Sequence, residues 1–387
     1  MSWPIIKMEE LAAKVPYSLV GGPFGSKLTS IDYINDGVPV IRGSNLGKGK
    51  FLSLNEFVYV SDAKMRQDFS SNLAYPGDLV FTQRGTLGQV AIIPEESPFE
   101  KYVISQSQMK MTVDEDKACK EYLYYYFTST EAVQRIINFT SSSGVPHINL
   151  TILRNFEVPI PPVRTQRAIS SILSAYDDLI ENNRRRMQLL EQAARLLYKE
   201  WFVRLRFPGH EHVKIKDGVP EGWERKPLGK IAPLNYGKAL KQDNRIPGAF
   251  PVYGSSGVVG THQKALVEGP GIIVGRKGNV GSVFWCEEAF HPIDTVYFIG
   301  PEKSTLHLYY ALLHTAFMST DVAVPGLNRD FAHSHNLLIP ESKVAQLFEE
   351  IVSSVHQQIY GLQKHNQALA KARDLLLPRL MNGEIAV

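Results

Sequence analysis

Cysteine is nearly absent: Cys119 and Cys286 are the only two among 387 residues, and they stand far apart. This excludes a disulfide framework and a zinc ribbon, and it fits a reducing, cytoplasmic setting. Charge of one sign is also lacking. Forty-two Lys and Arg against 39 Asp and Glu leave a formal net charge of +3. A histone-like cationic coat is therefore excluded, but local basic patches are not. No run approaches the roughly 20 apolar residues of a membrane span. The strongest apolar runs, such as Gly271-Ile-Ile-Val-Gly275, have the length of a strand. The N-terminus, Met1-Ser-Trp-Pro-Ile-Ile-Lys-Met-Glu-Glu10, has neither the basic nor the apolar region of a signal peptide. With 44% apolar and 21% charged residues, the composition is that of a soluble globular protein rather than a disordered one.

The motifs of catalysis are missing as well. No G-x-G-x-x-G opens a helix, and no G-x-x-x-x-G-K-[ST] occurs. The glycine-rich Gly275-Arg-Lys-Gly-Asn-Val-Gly281 has the wrong spacing for either and no helical pattern after it. H-E-x-x-H, C-x-x-C and G-x-S-x-G are absent. His210-Glu-His212 lies in a polar segment and reads as a solvated pair rather than a metal site. The carboxylate pairs Glu95-Glu96 and Glu287-Glu288 read as surface turns. No catalytic residue, metal or cofactor is expected in this chain.

What is present is an internal repeat. Trp3-Pro-Ile-Ile-Lys-Met-Glu-Glu-Leu-Ala12 resembles Trp223-Glu-Arg-Lys-Pro-Leu-Gly-Lys-Ile-Ala232. Pro76–Gly88 matches Pro270–Gly281 with one residue missing, Val145-Pro-His-Ile-Asn149 answers to Val324-Pro-Gly-Leu-Asn328, and Val158-Pro-Ile-Pro161 answers to Leu337-Leu-Ile-Pro340. Each copy opens with short β-rich runs punctuated by Gly, Pro and Asn, interrupted by a helical pattern near 118–137 and 304–319. A long helical pattern closes each copy. The fold class expected is α+β: two loop-rich mixed units joined by two long helices, related by a pseudo-twofold internal repeat. The boundaries fall at 1–162, 163–206, 207–340 and 341–387, with Phe207–Gly222 a linker by composition.

In the first long helix Leu173, Tyr176, Ile180, Met187, Leu190, Ala194, Leu197 and Trp201 recur with alternating spacings of three and four. This is the seam of a coiled coil. The second seam runs Val352, Val355, Ile359, Leu362, Asn366, Leu369, Arg373, Leu376, Leu380. Each holds one Asn, Asn183 and Asn366, and these face each other when the helices run antiparallel. A buried Asn pair sets register where an unpaired one would be costly. The alternative is two amphipathic helices, each packed on its own domain. Arg184-Arg-Arg186 reads as a solvated face or a partner contact.

The order of these motifs resembles the specificity subunit of type I restriction–modification systems over nearly the whole chain. The residues carrying the resemblance are Gly22-Pro-Phe-Gly-Ser26, Val40-Ile-Arg-Gly-Ser-Asn-Leu46, the Pro76–Gly88 and Pro270–Gly281 loops, and Pro292-Ile-Asp-Thr295. To these are added Pro159-Ile-Pro-Pro-Val-Arg-Thr-Gln166 leading into a long helix, and the C-terminal Leu375-Leu-Leu-Pro-Arg-Leu-Met-Asn-Gly-Glu-Ile385. The resemblance implies that each unit is a target recognition domain reading one half of a bipartite DNA sequence. The helices are then spacers that set the distance between the half-sites. Two methyltransferase subunits dock on such a chain, supplying S-adenosylmethionine binding and adenine N6-methylation. Two restriction subunits, where present, add cleavage. The chain itself is then non-catalytic. A non-DNA-binding scaffold and an orphan nucleic-acid-modifying enzyme are the alternatives. Where the copies differ, with Val252-Tyr-Gly-Ser against Val40-Ile-Arg-Gly, unlike half-sites are expected.

Base readout needs paired donors or acceptors aimed into a groove; phosphate contact needs cations or backbone N–H groups on exposed loops. In the first unit the candidates are Arg42, Ser44, Gln83, Arg84, Ser143 and His147. In the second they are Lys238, Lys241, Tyr253, Ser255, His262, Lys264, Arg276 and Lys277. The alternative has Arg84 and Lys277 as loop cations in water, Ser143 as turn chemistry, and Asn149 and Asn328 as caps. Tyr122, Tyr124, Tyr125, Tyr126, Phe127, Tyr309 and Tyr310 recur at helical spacing and are expected in the core. With so little net charge, the isolated chain is expected to bind DNA weakly and to gain affinity on assembly.

Overall fold

A computed structural model describes residues 3–47, 49–139, 147–317 and 326–387. The chain divides into two compact units: unit 1 is Met1–Asn182 with His365–Val387, and unit 2 is Asn183–Lys364. Each long helix therefore contributes to both.

In unit 1, short strands, the inner ones buried at every residue, form two four-stranded sheets. One has the order Leu19–Gly21, Gln108–Met111, Leu79–Thr82, Val90–Ile92, all antiparallel. The other has the order Val58–Val60, Val38–Ile41, Tyr102–Ile104, Leu73–Ala74, with Val38–Ile41 and Tyr102–Ile104 parallel. Ile5–Lys7 pairs separately with Glu157–Pro159. Tyr122 through Phe127 are all buried in the helix Lys120–Thr128, as expected of core aromatics, and Phe127 meets Phe81 edge-on at 5.0 Å.

Unit 2 repeats this topology. Asn235–Tyr236, Val296–Ile299, Gly271–Gly275 and Val283–Cys286 form an antiparallel sheet in that order. Gly257–His262, Phe250–Gly254 and His291–Pro292 form a second, with its last pair parallel. Glu224–Pro227 pairs with Asn336–Ile339, as Ile5–Lys7 does with Glu157–Pro159. The helix Leu306–Leu313 stands where Lys120–Thr128 stands in unit 1. Asn149 and Asn328 cap equivalent short helices: Asn149 accepts from the Ile152 N–H at 2.9 Å, and Asn328 from Asp330 at 2.8 Å and Phe331 at 3.1 Å.

The stretch 207–222, a linker by composition, is packed. Phe207 is buried against Trp223 at 4.7 Å between ring centres, and Ile215–Lys216 and Val219–Pro220 form a small hairpin. Two rings and two valines, Val213 and Val219, outweigh a polar surroundings of Gly and Pro.

The long helices span Val163–Tyr198, continued by one wide turn at Lys199–Val203, and Ser342–Met381. Ile169, Leu173, Ile180, Asn183, Ala194, Tyr198 and Trp201 are buried along the first; along the second Phe348, Val352, His356, Leu377 and Leu380 are buried, and the expected seam positions from Val355 to Leu376 are half-buried. Within unit 1 their segments run antiparallel. Asn366 donates to the Ile180 carbonyl at 3.2 Å, while seven residues on, Arg373 reaches back to Asp177. Asp177 also accepts from the Tyr125 hydroxyl at 2.6 Å, tying the helix pair to the aromatic helix. Unit 2 has the same direction, with Tyr198 and Trp201 against Phe348 and Glu191 beside His356.

One contact couples the second long helix to the core of unit 2. The Glu349 carboxylate accepts from the Leu306 and His307 N–H groups at 2.7 and 3.1 Å, satisfying two orphan donors at the start of Leu306–Leu313. Glu349→Ala is expected to lower the stability of unit 2 by about 1–3 kcal/mol, since two charge-assisted bonds are lost. Urea unfolding followed by tryptophan fluorescence measures it, because Trp201, Trp223 and Trp285 all lie in unit 2.

Candidate nucleic-acid interface

The same hydrogen-bond scaffold is built twice, once in each unit. In unit 1, the backbone N–H groups of Gln83 and Arg84 both donate to the Ser107 carbonyl, at 2.7 and 3.3 Å. Gln83 in turn accepts from Ile148 N–H at 3.1 Å, and Arg84 forms a β-bridge with His147. In unit 2, Arg276 and Lys277 both donate to the Thr295 carbonyl, at 2.9 and 3.1 Å. Arg276 accepts from Leu327 N–H at 2.8 Å, and Lys277 forms a β-bridge with Gly326. Thus Gln83 corresponds to Arg276, Arg84 to Lys277, and His147 to Gly326. Each turn is locked by backbone bonds at the end of a buried strand, and each presents its second residue, Arg84 or Lys277, to solvent. Gly85, Gly88, Gly278 and Gly281 all adopt positive φ, the conformation that lets the chain reverse so tightly.

The other candidates divide by placement. His147 is exposed beside Arg84. Ser44 is exposed, whereas Arg42 is tied to its own loop by a bond to the Glu56 carbonyl at 3.1 Å. Gln83 is 8% exposed and aims its amide at Gly21, whose added Cβ would lie 3.5 Å from Oε1. Ser143 lies outside the described residues. In unit 2, Lys238, Lys241 and Lys264 are exposed. Ser255 serves the glycine turn: its hydroxyl accepts from Asn279 N–H at 3.4 Å and its carbonyl from the Ser282 hydroxyl at 2.6 Å. His262 accepts from Ile246 N–H at 3.1 Å through Nδ1. Tyr253 turns inward: it packs on Phe284 and Phe290, and burial pushes its phenol above the usual range. It lines a cleft of about 340 Å³ with Trp285, Tyr309 and His356, so it is not placed with the exposed loop cations.

Two residues absent from the sequence-based candidates join the unit 2 turn. Tyr236 carries the Arg276 guanidinium 5.0 Å from its ring centre and that of Arg329 at the same distance. Arg329 directly follows the capping Asn328, and from sequence alone it reads as the first residue of a helix. The only signal for it was the cation itself. Among the described residues, no cluster of three or more His, Cys, Asp or Glu has the arrangement to hold a metal ion. Likewise no helix among them is long and apolar enough to cross a membrane.

A duplicated turn of this kind, at the same point of two topologically equal units, defines a class. The chain belongs to the type I restriction modification DNA specificity domain family, whose profile matches residues 27–192 and 220–366. It is similar over 376 residues, at 24% identity, to the type I restriction enzyme MjaIX specificity subunit of Methanocaldococcus jannaschii, covering 87% of this chain and 86% of that one. It is also similar to the HindI specificity subunit of Haemophilus influenzae, at 22% identity over 423 residues, covering 86% and 92%. Its fold is like that of the crystal structure of the type I restriction–modification S subunit from M. genitalium. That match has a TM-score of 0.56 at 19% identity and covers 98% of this chain and 96% of that one.

Proposed function

We propose that this chain directs a type I restriction–modification complex to its DNA, unit 1 reading one half of a bipartite target and unit 2 the other. The recognition domains are 1–162 and 207–340, and the spacers are 163–206 and 341–387. The observation that carries the reading is the duplicated turn: two locked backbones offer Arg84 and Lys277 to solvent at equivalent positions. Arg84 and Lys277 then contact phosphate, where a cation gives affinity without sequence information. The long helices form an antiparallel coiled coil with Asn183 and Asn366 as its register pair. This rod fixes the half-site spacing and docks two methyltransferase subunits. Those subunits supply S-adenosylmethionine and transfer its methyl group to adenine N6, and this chain performs no chemistry.

The test is to express the chain with its methyltransferase subunits and map methylated adenines in the host genome. A bipartite methylated motif that disappears on deletion of this chain is the expected result. In the same complex, Arg84→Ala and Lys277→Ala are each expected to weaken binding on all sequences alike and to reduce the slope of log affinity against log salt by about one. Unchanged affinity and salt dependence in both would remove these turns from the interface.

A further inference from the structure

Unit 2 carries a cation–aromatic stack that unit 1 lacks. The strand registers fix the correspondence. Gly21 and Phe81 both pair with Met109, while Tyr236 and Val274 both pair with Tyr297. Tyr236 therefore stands where unit 1 has Gly21. Arg276 stands where unit 1 has Gln83, by the shared turn bonds. Arg329 stands where unit 1 has Leu150, each being the residue after its capping Asn. Three converging positions are thus Gly, Gln and Leu in one unit and Tyr, Arg and Arg in the other.

The stack is held by contacts within unit 2. The two guanidiniums each lie 5.0 Å from the Tyr236 ring centre, and that of Arg276 lies 5.8 Å from the Tyr297 ring as well. Arg276 spends one N–H on the Asp294 carbonyl at 3.1 Å, which fixes its plane. The Tyr297 hydroxyl donates to the Leu327 carbonyl at 2.9 Å, holding the floor of the stack to the segment that bears Arg329. Tyr236 is 49% exposed, so the assembly is at the surface. No ion pair to either guanidinium occurs among the described residues. Nε of Arg329 is buried with no partner among the described residues.

Two like charges set on one ring repel, and the ring quadrupole offsets only part of that. A counter-charge or strong acceptor is therefore wanted. A guanidinium fork fits a phosphate as well as it fits the O6 and N7 pair of guanine in the major groove. The base is favoured because the stack is built in one unit only, as a contact that reads one half-site would be, whereas the turn that offers Arg84 and Lys277 is built in both. We propose that Arg276 and Arg329, stacked on Tyr236, are specificity-determining residues that read guanine in the half-site of unit 2. Unit 1, with Gly21, Gln83 and Leu150 at these positions, makes no such contact. This rests on the function proposed above.

The experiment uses the chain assembled with its methyltransferase subunits. Methylated sites are mapped for the parent, Arg276→Gln, Arg329→Gln, Tyr236→Ala and Tyr236→Phe, and each complex is checked for thermal stability. Each Arg variant is expected to lower the preference for guanine at a position of one half-site by about 10-fold or more. The other half-site stays unchanged, and it is the same half-site for both variants. Tyr236→Ala, at an exposed position, relaxes the same half-site, and Tyr236→Phe, which keeps the ring, does not. Loss of affinity spread evenly over all sequences, with the motif intact, would make these residues phosphate contacts and overturn the proposal. A parent complex that methylates no bipartite motif would instead refute the function on which it rests.

Discussion

Acidification from pH 7 to about 4.5 is expected to unfold unit 2 while unit 1 keeps its structure. Nine of the eleven histidines are in unit 2, since unit 1 holds only His147 and His365. Two of the nine are sealed in the core, His307 at 7% and His356 at 8% exposure, and burial pushes each imidazole down to about 4. His307 sits among the rings of Tyr198, Phe202 and Phe348, with no partner for Nε2 among the described residues. His356 shares a hydrogen bond of 2.9 Å with the Tyr310 hydroxyl and packs against Trp285 and Tyr309, and Glu191 pulls its pKa upward by less than burial lowers it. Above pH 6.5 the imidazoles are neutral in both folded and unfolded chains, and they impose no pH dependence. Between 6.5 and 4 only the unfolded chain takes up the protons, so stability falls as pH falls. The loss is on the order of 3 kcal/mol for each residue by pH 4, using the model value 6.5 and the folded value of about 4. Two such losses are comparable with the whole stability of an ordinary domain. Fluorescence of Trp201, Trp223 and Trp285 during an acid titration reports unit 2, since Trp3 alone is in unit 1. His307→Phe, an aromatic replacement among aromatic neighbours, is expected to move the acid midpoint downward. An unmoved midpoint would show that His307 is not what titrates.

The features legible in the sequence are those with local causes. The long helices announce themselves because Leu173, Ile180, Ala194 and Trp201 repeat at a period set by the helix itself. The capping roles of Asn149 and Asn328 and the inward aromatics of Lys120–Thr128 follow from short-range chemistry too. Strand pairing does not. Leu73–Ala74 and Asn235–Tyr236 are two-residue strands that exist only because a distant partner hydrogen-bonds them, and no periodicity can appear in two residues. The packing of Phe207 on Trp223 escaped the composition for the same reason, because one ring in a polar stretch carries no pattern. The candidate interface divides along this line. Gln83, Arg84, Arg276 and Lys277 stand out because the glycine turn that holds them is repeated. Arg329 and Tyr236 are brought to that turn by sheet register, and Tyr253 is drawn into the core by Phe284 and Phe290.

Removing the Asp78 carboxylate is expected to be the most damaging single change in unit 1. Lys110 lies in the inner strand Gln108–Met111 between its cross-strand partners Val20 and Val80, and its side chain is 3% exposed. Its ammonium reaches Asp78, 2% exposed, at 3.1 Å. The remaining valences are also met. Lys110 donates to the Thr112 hydroxyl at 2.7 Å, Thr112 donates to the other Asp78 oxygen at 2.6 Å, and Tyr75 N–H donates to Asp78 at 2.9 Å. The Tyr75 ring faces the ammonium at 5.7 Å. A buried pair so fully bonded contributes little net stability over an apolar pair of the same volume, because both ions have been taken out of water. Breaking it is another matter. Asp78→Leu leaves a buried ammonium with only a hydroxyl and a ring for company, and is expected to cost about 3–5 kcal/mol. Lys110→Met strands the carboxylate and is expected to cost a similar amount. The combination Asp78→Leu with Lys110→Met removes both charges, and is expected to be less destabilising than either single change. Thermal unfolding of the four proteins, followed by far-ultraviolet circular dichroism, decides the matter. A double variant as unstable as the sum of the singles would mean that the two groups act independently, and the ion pair would then have no part in holding the sheet.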